Sequence, residues 1–184
     1  LLLFLLPLLV VSPASLWMQY QSWWQMLTHD HAQSYGLSLM HILNLIVPGF
    51  QAKFVLQLIG IAILALSVFK FVLKSNRQNR LQLLSIIFLT LIIFNHKSES
   101  ATFILAVVGI AIWFFSIQLP SALEKGLVTV AFFGTVLIAS DVFPPYLRNT
   151  FFVPYSVKVW PCIIIYMYLL YTLLFTQSKQ RPIL

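Results

Sequence analysis

Charged residues are scarce in this sequence. Asp, Glu, Lys and Arg together make up 8% of the chain, while 60% of it is hydrophobic. A soluble domain usually carries about 25% charged residues, so this composition excludes an ordinary soluble domain and indicates an integral membrane protein. The formal charge of +7 comes from only 11 basic residues. Because they form no dense basic stretch, we expect no nucleic-acid partner.

Cysteine and the common catalytic signatures are also missing. Cys162 is the only cysteine, which excludes an internal disulfide. The sequence has no nucleophile elbow, glycine-rich phosphate loop, nucleotide fingerprint or zinc signature. We therefore disfavour a nucleotide-using enzyme and expect neither a cofactor nor a metal ion. His29-Asp30-His31 offers metal-binding residue types, but on a helix positions 29 and 31 point apart, and no cysteine or further carboxylate lies nearby to complete a set.

Long apolar segments make up most of the chain. They predict an all-α fold, a polytopic membrane helix bundle, as one transmembrane domain over residues 1–184. We expect Leu1–Val11 to be the tail of a cut spanning helix, since no basic region precedes it as in a signal peptide. The chain is then the C-terminal part of a longer protein, truncated at its N-terminus. The predicted spans are residues 1–11, 52–73, 81–94, 101–117, 126–140 and 160–175.

Residues 12–51 predict an amphipathic segment that lies on the outer membrane surface. Ser12-Pro13 is a typical helix start, with Ser as the cap and Pro at the first position. Polar and aromatic residues then recur on separate faces at helical spacing, which suits the headgroup layer and its lipids. A second short helix is expected after Tyr35-Gly36, ending at Pro48-Gly49.

The distribution of Lys and Arg predicts the orientation. Seven cations fall on one predicted side, which should be cytoplasmic, and four fall on the other. All four histidines and three of the four acids then lie on the extracytoplasmic face of the plasma membrane. The inner group is Lys70, Lys74, Arg77, Arg80, Lys125, Lys179 and Arg181, and the outer group is Lys53, Lys97, Arg148 and Lys158.

The polar run Asn95–Ser100, between two apolar segments, is the strongest candidate site. It is either a solvated loop or, because the flanking segments are short, a polar site below the headgroup level. Lys97 and Glu99 are placed to pair, and Ser98 and Ser100 are expected to cap a helix beginning near Ala101. A helix N-terminus beside Lys97 would suit a phosphate or pyrophosphate group.

A proline-rich outer loop spans residues 141–159. It carries Asp141, Arg148 and Lys158. One interpretation is a surface loop with a local Asp–Arg pair. The other is a stiff lid that contacts the substrate.

Three stretches together resemble a known family. They are "YQSWWQMLTHDHAQSYGLSLM" (20–40), "IIFNHKSESATFILAVVGIAIWF" (92–114) and "SDVFPPYLRNTFFVPYSVKVWPC" (140–162). In order and spacing the chain is similar to bacterial members of integral-membrane glycosyltransferase family 87, of the GT-C fold. It departs from the family motif at Ala101, where the motif has Pro.

The resemblance implies transfer of a hexose, typically mannosyl, from a polyprenyl-phosphate donor to an extracytoplasmic glycan or glycolipid acceptor. It places the catalytic base, an acid, upstream of this chain, so no catalytic residue is assigned and we expect the segment alone to be inactive. The alternatives are a transporter or flippase subunit and a non-catalytic membrane protein. The expected substrate-binding residues are Asn95, His96, Lys97 and Glu99, and less directly His29, Asp30, Asp141 and Arg148.

Overall fold

A computed structural model describes residues 2–33, 35–73, 77–139 and 142–175. Over these ranges the protein is all-α and contains no β-strand, which confirms the all-α part of the predicted fold class. The chain divides into two compact units, Leu1–Ser34 and Tyr35–Leu184.

Over its described part, the first unit contains two α-helices, α1 (Leu2–Leu5) and α2 (Pro13–Gln33), with the 3₁₀ turn Leu6–Leu9 between them. The stretch predicted as the tail of one spanning helix thus forms two short pieces. Helix α2 begins as predicted. The amide of Ser15 donates to the Oγ of Ser12 at 3.2 Å, and Pro13 occupies the first helical position, where an N–H would lack a helical partner.

The second unit contains seven α-helices among its described residues. The short helix predicted after Tyr35-Gly36 is present, because Ser38 caps it by accepting a hydrogen bond from the amide of Met40. After its last residue, the amide of Gly49 donates to the Oδ1 of Asn44 at 3.1 Å. The helices are α3 (Leu39–Ile46), α4 (Lys53–Leu73), α5 (Arg77–Ile93), α6 (Phe103–Phe115), α7 (Ala122–Ala131), α8 (Pro145–Leu147) and α9 (Val159–Phe175).

Two helices begin earlier than the apolar pattern predicts. Helix α5 starts at Arg77 rather than at residue 81, because its polar first turn continues the helix. Helix α7 starts at Ala122 rather than at 126, because Ser121 and Glu124 form a capping box: each side chain accepts a hydrogen bond from the other residue's amide, at 3.3 and 2.7 Å. Beyond α7 the segment predicted as one span continues as a π-helical turn, Phe132–Val136, and a 3₁₀ turn, Leu137–Ala139.

Helix α5 is central to the second unit and packs against α4, α6 and α9. Buried residues recur every three or four positions along the packed helices, as expected for helix faces that meet. The core includes Ile86, Leu89, Ile92 and Ile93 of α5, Phe103, Ala106, Ile110 and Trp113 of α6, and Cys162, Ile165, Tyr166 and Leu169 of α9.

Helices α5 and α9 run antiparallel. Near the start of α5, the Nε2 of Gln82 donates to the carbonyl oxygen of Leu169 at 2.9 Å. Nearer its end, the Oγ1 of Thr90 donates to the hydroxyl of Tyr166 at 3.0 Å. The start of α9 therefore lies beside the end of α5. This arrangement brings together three connections, residues 35–52, 94–102 and 142–158, in a region that we call the loop end.

Among the described residues, one helix is long and apolar enough to cross a bilayer, judged by length and composition. The apolar stretch of this helix, Lys53–Val72, has 20 residues. Its most apolar part has a mean hydropathy of 2.3, and only 11% of that part is buried. The other apolar helices, Asn79–Ile93, Phe103–Phe115 and Val159–Phe175, are shorter. The structure thus supports the all-α class, while the polytopic membrane arrangement stays a prediction.

Candidate functional site at the loop end

The first contact at the loop end joins the connections 35–52 and 94–102 through their backbones. The amide of Leu37 donates to the carbonyl oxygen of Ser98 at 2.6 Å. Gly36 has a φ of +53°, and a Cβ built on it would lie 2.5 Å from the carbonyl oxygen of His96. Only glycine combines this left-handed conformation with such close approach, so Gly36 lets the chain pass directly over residues 96–98.

Local hydrogen bonds fold the polar run Asn95–Ser100 into a tight turn. The Oδ1 of Asn95 accepts from the amide of Lys97 at 3.0 Å, and the buried Oγ of Ser98 donates to the carbonyl oxygen of Ile92 at 2.7 Å. The side chains of Lys97 and Glu99 are exposed. The turn is therefore fixed by its amide and hydroxyl residues, and it presents its charged residues outward.

The predicted capping of the following helix is wrong. Helix α6 begins at Phe103, and neither Ser98 nor Ser100 caps it, because Ser98 bonds back to Ile92 and the Oγ of Ser100 accepts a hydrogen bond from the Nζ of Lys158. Thr102 instead closes the turn. Its Oγ1 accepts from the amide of Glu99 at 3.0 Å and donates to the carbonyl oxygen of the same residue at 2.8 Å.

The first turns of α4 contribute two polar groups. The Nδ1 of His96 lies 3.3 Å from the Nε2 of Gln57. Lys53 is only 3% exposed, and its ammonium lies 3.8 Å from the centre of the Tyr35 ring, a cation–π contact. Tyr35 is held in turn by its hydroxyl, which donates to the carbonyl oxygen of Phe50 at 2.7 Å. Helix α4 thus positions both His96 and Tyr35.

Lys158 enters the loop end from the third connection. Its side chain is 7% exposed, its Nζ donates to the Oγ of Ser100, and it lies 5.9 Å from the centre of the Phe103 ring. Burial lowers the pKa of Lys158 below its ordinary value, and the positive charge of Arg148 lowers this pKa further. The site therefore holds a lysine whose positive charge is disfavoured by its surroundings.

His41 and Ser156 join the connections 35–52 and 142–158. The Oγ of Ser156 lies 2.8 Å from the Nδ1 of His41. Ser156 is fully buried and has a φ of +49°, which is unusual for a residue with a Cβ. A contact that keeps Ser156 in this conformation fixes the path of the chain just before Lys158.

The structure places the predicted site residues in three settings. Asn95, His96, Lys97 and Glu99 lie in the 94–102 turn, and Arg148 lies exposed in the π-helical turn Arg148–Phe152 of the third connection. His29 is exposed on α2 in the first unit. The backbone of Asp30 belongs to the same helix, but its side chain lies outside the described part of the structure, as does all of Asp141.

Several residues at or beside the loop end were not among the expected substrate-binding residues, although Lys158 was placed in the predicted 141–159 loop. Lys158 precedes an apolar helix, and nothing in the sequence distinguishes a buried lysine there from an exposed one. Lys53, Tyr35 and Ser156 are likewise placed by tertiary contacts. A turn at Gly36 could be expected, since a glycine between two helices indicates a turn. The contact of Gly36 with residues 96–98 could not be predicted.

Positive charge predominates among the described side chains of the loop end. The loop end and the first residue of α4 carry four cations, Lys53, Lys97, Arg148 and Lys158, and one described acid, Glu99. Within the described residues, no group of three or more His, Cys, Asp or Glu side chains is arranged to hold a metal ion. An arrangement of cations, hydroxyls and amides is suited to binding an anion.

Comparison with protein-family models, with curated proteins and with solved structures gives no match for this chain. The resemblance to glycosyltransferase family 87 therefore stays a prediction based on the three motifs.

Proposed function

We propose that this chain is part of an integral membrane glycosyltransferase that transfers a hexose from a polyprenyl-phosphate donor to an extracytoplasmic glycan or glycolipid. The observation that carries the proposal is the meeting of three connections at the loop end. Each of the three motifs that resemble the family supplies part of one connection, namely residues 35–40, 94–102 and 142–158. The region where they meet is rich in cations and hydrogen-bond donors.

The proposal includes a membrane setting, with the loop end at the outer surface. Helix α4 has 21 residues and is therefore about 31 Å long, close to the roughly 30 Å of a bilayer's hydrocarbon core. Large apolar side chains cover its outward face. An apolar surface of this size is rarely left facing water and indicates a lipid or protein neighbour. Exposed examples are Phe54, Val55, Ile61, Phe69 and Val72.

The proposed reaction explains why cations are needed there. An acceptor hydroxyl attacks the anomeric carbon of the sugar, and the bond from that carbon to the phosphate oxygen breaks. The lipid phosphate leaves with the electron pair, and the hydroxyl proton goes to a base that the described residues do not identify. Donors aimed at the leaving phosphate stabilise the charge that develops on it.

Lys97 is the residue that we assign to this task in the 94–102 turn. Its side chain is exposed, and the Asn95 side chain fixes its backbone amide. His96, held beside Gln57 at 3.3 Å, is a second candidate donor. Both lie on a turn whose backbone is fixed on two sides, by Ile92 through Ser98 and by Leu37. A rigid turn keeps donors in place before the reaction begins.

A transfer assay tests this proposal against the alternatives. Membranes that contain the full-length gene product are incubated with radiolabelled polyprenyl-phosphate hexoses and, separately, with nucleotide sugars. We expect label to reach a glycan or glycolipid only from the lipid-linked donor. Movement of the intact donor across sealed vesicles without transfer would instead indicate the transporter or flippase interpretation. Neither transfer nor movement would favour the non-catalytic one.

A further inference from the structure

The environment of Lys158 is unusual for a buried lysine. Buried ammonium groups normally have an acidic partner or several hydrogen bonds, because removal from water is costly for a charge. Among the described residues, the side chain of Lys158 contacts the neutral hydroxyl of Ser100 and the ring of Phe103, and neither group is an acid. An ammonium group carries three donor protons, and Ser100 accepts one of them.

Arg148 makes this environment more unfavourable. Burial is the main cause that lowers the pKa of Lys158, and the positive charge of Arg148 lowers this pKa further. Both cations belong to the 142–158 connection, which His41 fixes through Ser156 at 2.8 Å. An anion beside Lys158 would offset the cost of burying its charge. Ser100 is exposed, so the ammonium lies directly beneath a residue that reaches the surface.

We propose that Lys158 and Ser100 bind a phosphate group, with Lys158 as the buried cation of the site. A phosphate offers at least two non-bridging oxygens that share its negative charge, enough to accept from an ammonium and a hydroxyl at once. The identification of the anion as a phosphate rests on the proposed function. The buried ammonium of Lys158 and its lack of an acidic partner among the described residues do not depend on it.

Direct binding tests the inference without any transfer reaction. Radiolabelled inorganic phosphate is dialysed to equilibrium against the purified full-length protein, at constant ionic strength set with chloride. Four proteins are compared: wild type, Lys158→Met, Lys158→Arg and the control Lys125→Met, which removes an exposed lysine on α7. We expect Lys158→Met to weaken phosphate binding about tenfold or more, as for the loss of one hydrogen bond to a charged group. Lys158→Arg should retain part of the binding, and Lys125→Met should retain all of it.

Competition distinguishes the source of the phosphate. Short-chain phosphatidic acid that displaces the label at lower concentration than glycerol phosphate would indicate a lipid-linked phosphate. Equal displacement by the two would indicate a free one, and either result supports the site. Equal phosphate affinity in wild type and Lys158→Met would overturn it.

Two further outcomes keep the test decisive. If Lys158→Met does not fold, Ser100→Ala takes its place and should weaken binding several-fold, and unchanged binding there would also overturn the inference. Failure of the transfer assay with phosphate binding intact would reject the glycosyltransferase proposal and leave this site standing. Transfer that proceeds with the same donor KM in wild type and Lys158→Met would support the glycosyltransferase proposal and reject this phosphate site.

Discussion

The amide of Leu37 donates a 2.6 Å hydrogen bond to the carbonyl oxygen of Ser98, which joins two connections far apart in the sequence. Gly36, the residue before Leu37, passes so close to His96 that a side chain there would meet its carbonyl oxygen. The polar turn is therefore held from outside as well as by its own hydrogen bonds. This relationship makes the shape of the 94–102 turn dependent on the 35–52 connection.

Gly36→Ala should destabilise the protein by more than backbone strain alone. A left-handed alanine costs about 1–2 kcal/mol, and the Cβ would also lie 2.5 Å from the carbonyl oxygen of His96. Gly49→Ala is the matched control, because Gly49 has a φ of +82° but open space around its missing Cβ. Thermal unfolding in detergent measures both. Equal losses at the two positions would show that the contact with residues 96–98 is absent.

His41 and Ser156 should be energetically coupled. A double-mutant cycle of His41→Ala and Ser156→Ala is expected to give an interaction energy of about 0.5–3 kcal/mol, as for residues in direct contact. Ser121→Ala paired with His41→Ala serves as the control and should be additive, since Ser121 caps a different helix. Additivity of the His41 and Ser156 changes, measured by denaturant unfolding, would contradict the observed contact.

The effect of Lys158 on the free energy of unfolding should change with pH in the alkaline range. Its folded-state pKa lies below 10.5, so between the two pKa values the unfolded chain binds more protons than the folded one. The free energy of unfolding of the wild type, relative to Lys158→Met, should then rise with pH across that window. Below the window the difference should be constant. Unfolding experiments over a pH series check this, and a difference that falls as pH approaches 10.5 would contradict the buried placement of the lysine.

The sequence predicted the parts of this fold that depend on local chemistry. Ser12-Pro13 starts α2, and Tyr35-Gly36 and Pro48-Gly49 bracket α3, because caps and turns need only neighbouring residues. The start of α7 is also local, since Ser121 and Glu124 match a capping box. The apolar pattern, which begins only at residue 126, does not contain this signal. Ser98 and Ser100 were wrongly assigned as caps because a serine hydroxyl has several possible partners, and tertiary packing decided between them.

Long-range contacts decide which residues meet at the loop end, and local sequence patterns do not specify these contacts. The predicted alternation of sides grouped residues 12–51, 95–100 and 141–159. Within the second unit, residues 35–51, 95–100 and the described part of 141–159 do meet at one end. The burial of Lys158 and its contact with Ser100 result from the antiparallel placement of α5 and α9, which a single sequence does not specify. For the same reason the π-helical turn after α7 was not predicted.

The proposed membrane orientation makes a labelling prediction. A single cysteine at Glu99, which is exposed at the loop end, should react with an impermeant thiol reagent in whole cells. A cysteine at Arg80, exposed on the first turn of α5 at the opposite end, should react only after the membrane is opened. The native Cys162 is fully buried and should give little background. Labelling of position 80 but not of position 99 in intact cells would reverse the orientation.

The rate of sugar transfer by Lys97→Ala tests the central claim most directly. The loss of one donor aimed at developing charge typically slows a reaction by about 10²–10³, and we expect a loss of this size in the full-length protein with its level in the membrane unchanged. Lys97→Arg should restore only part of the rate, because a planar guanidinium differs in shape from an ammonium group. Lys125→Ala, at the other end of the helices, should transfer at the wild-type rate. Wild-type turnover by Lys97→Ala would contradict the assignment and leave Asn95–Ser100 as an ordinary solvated turn.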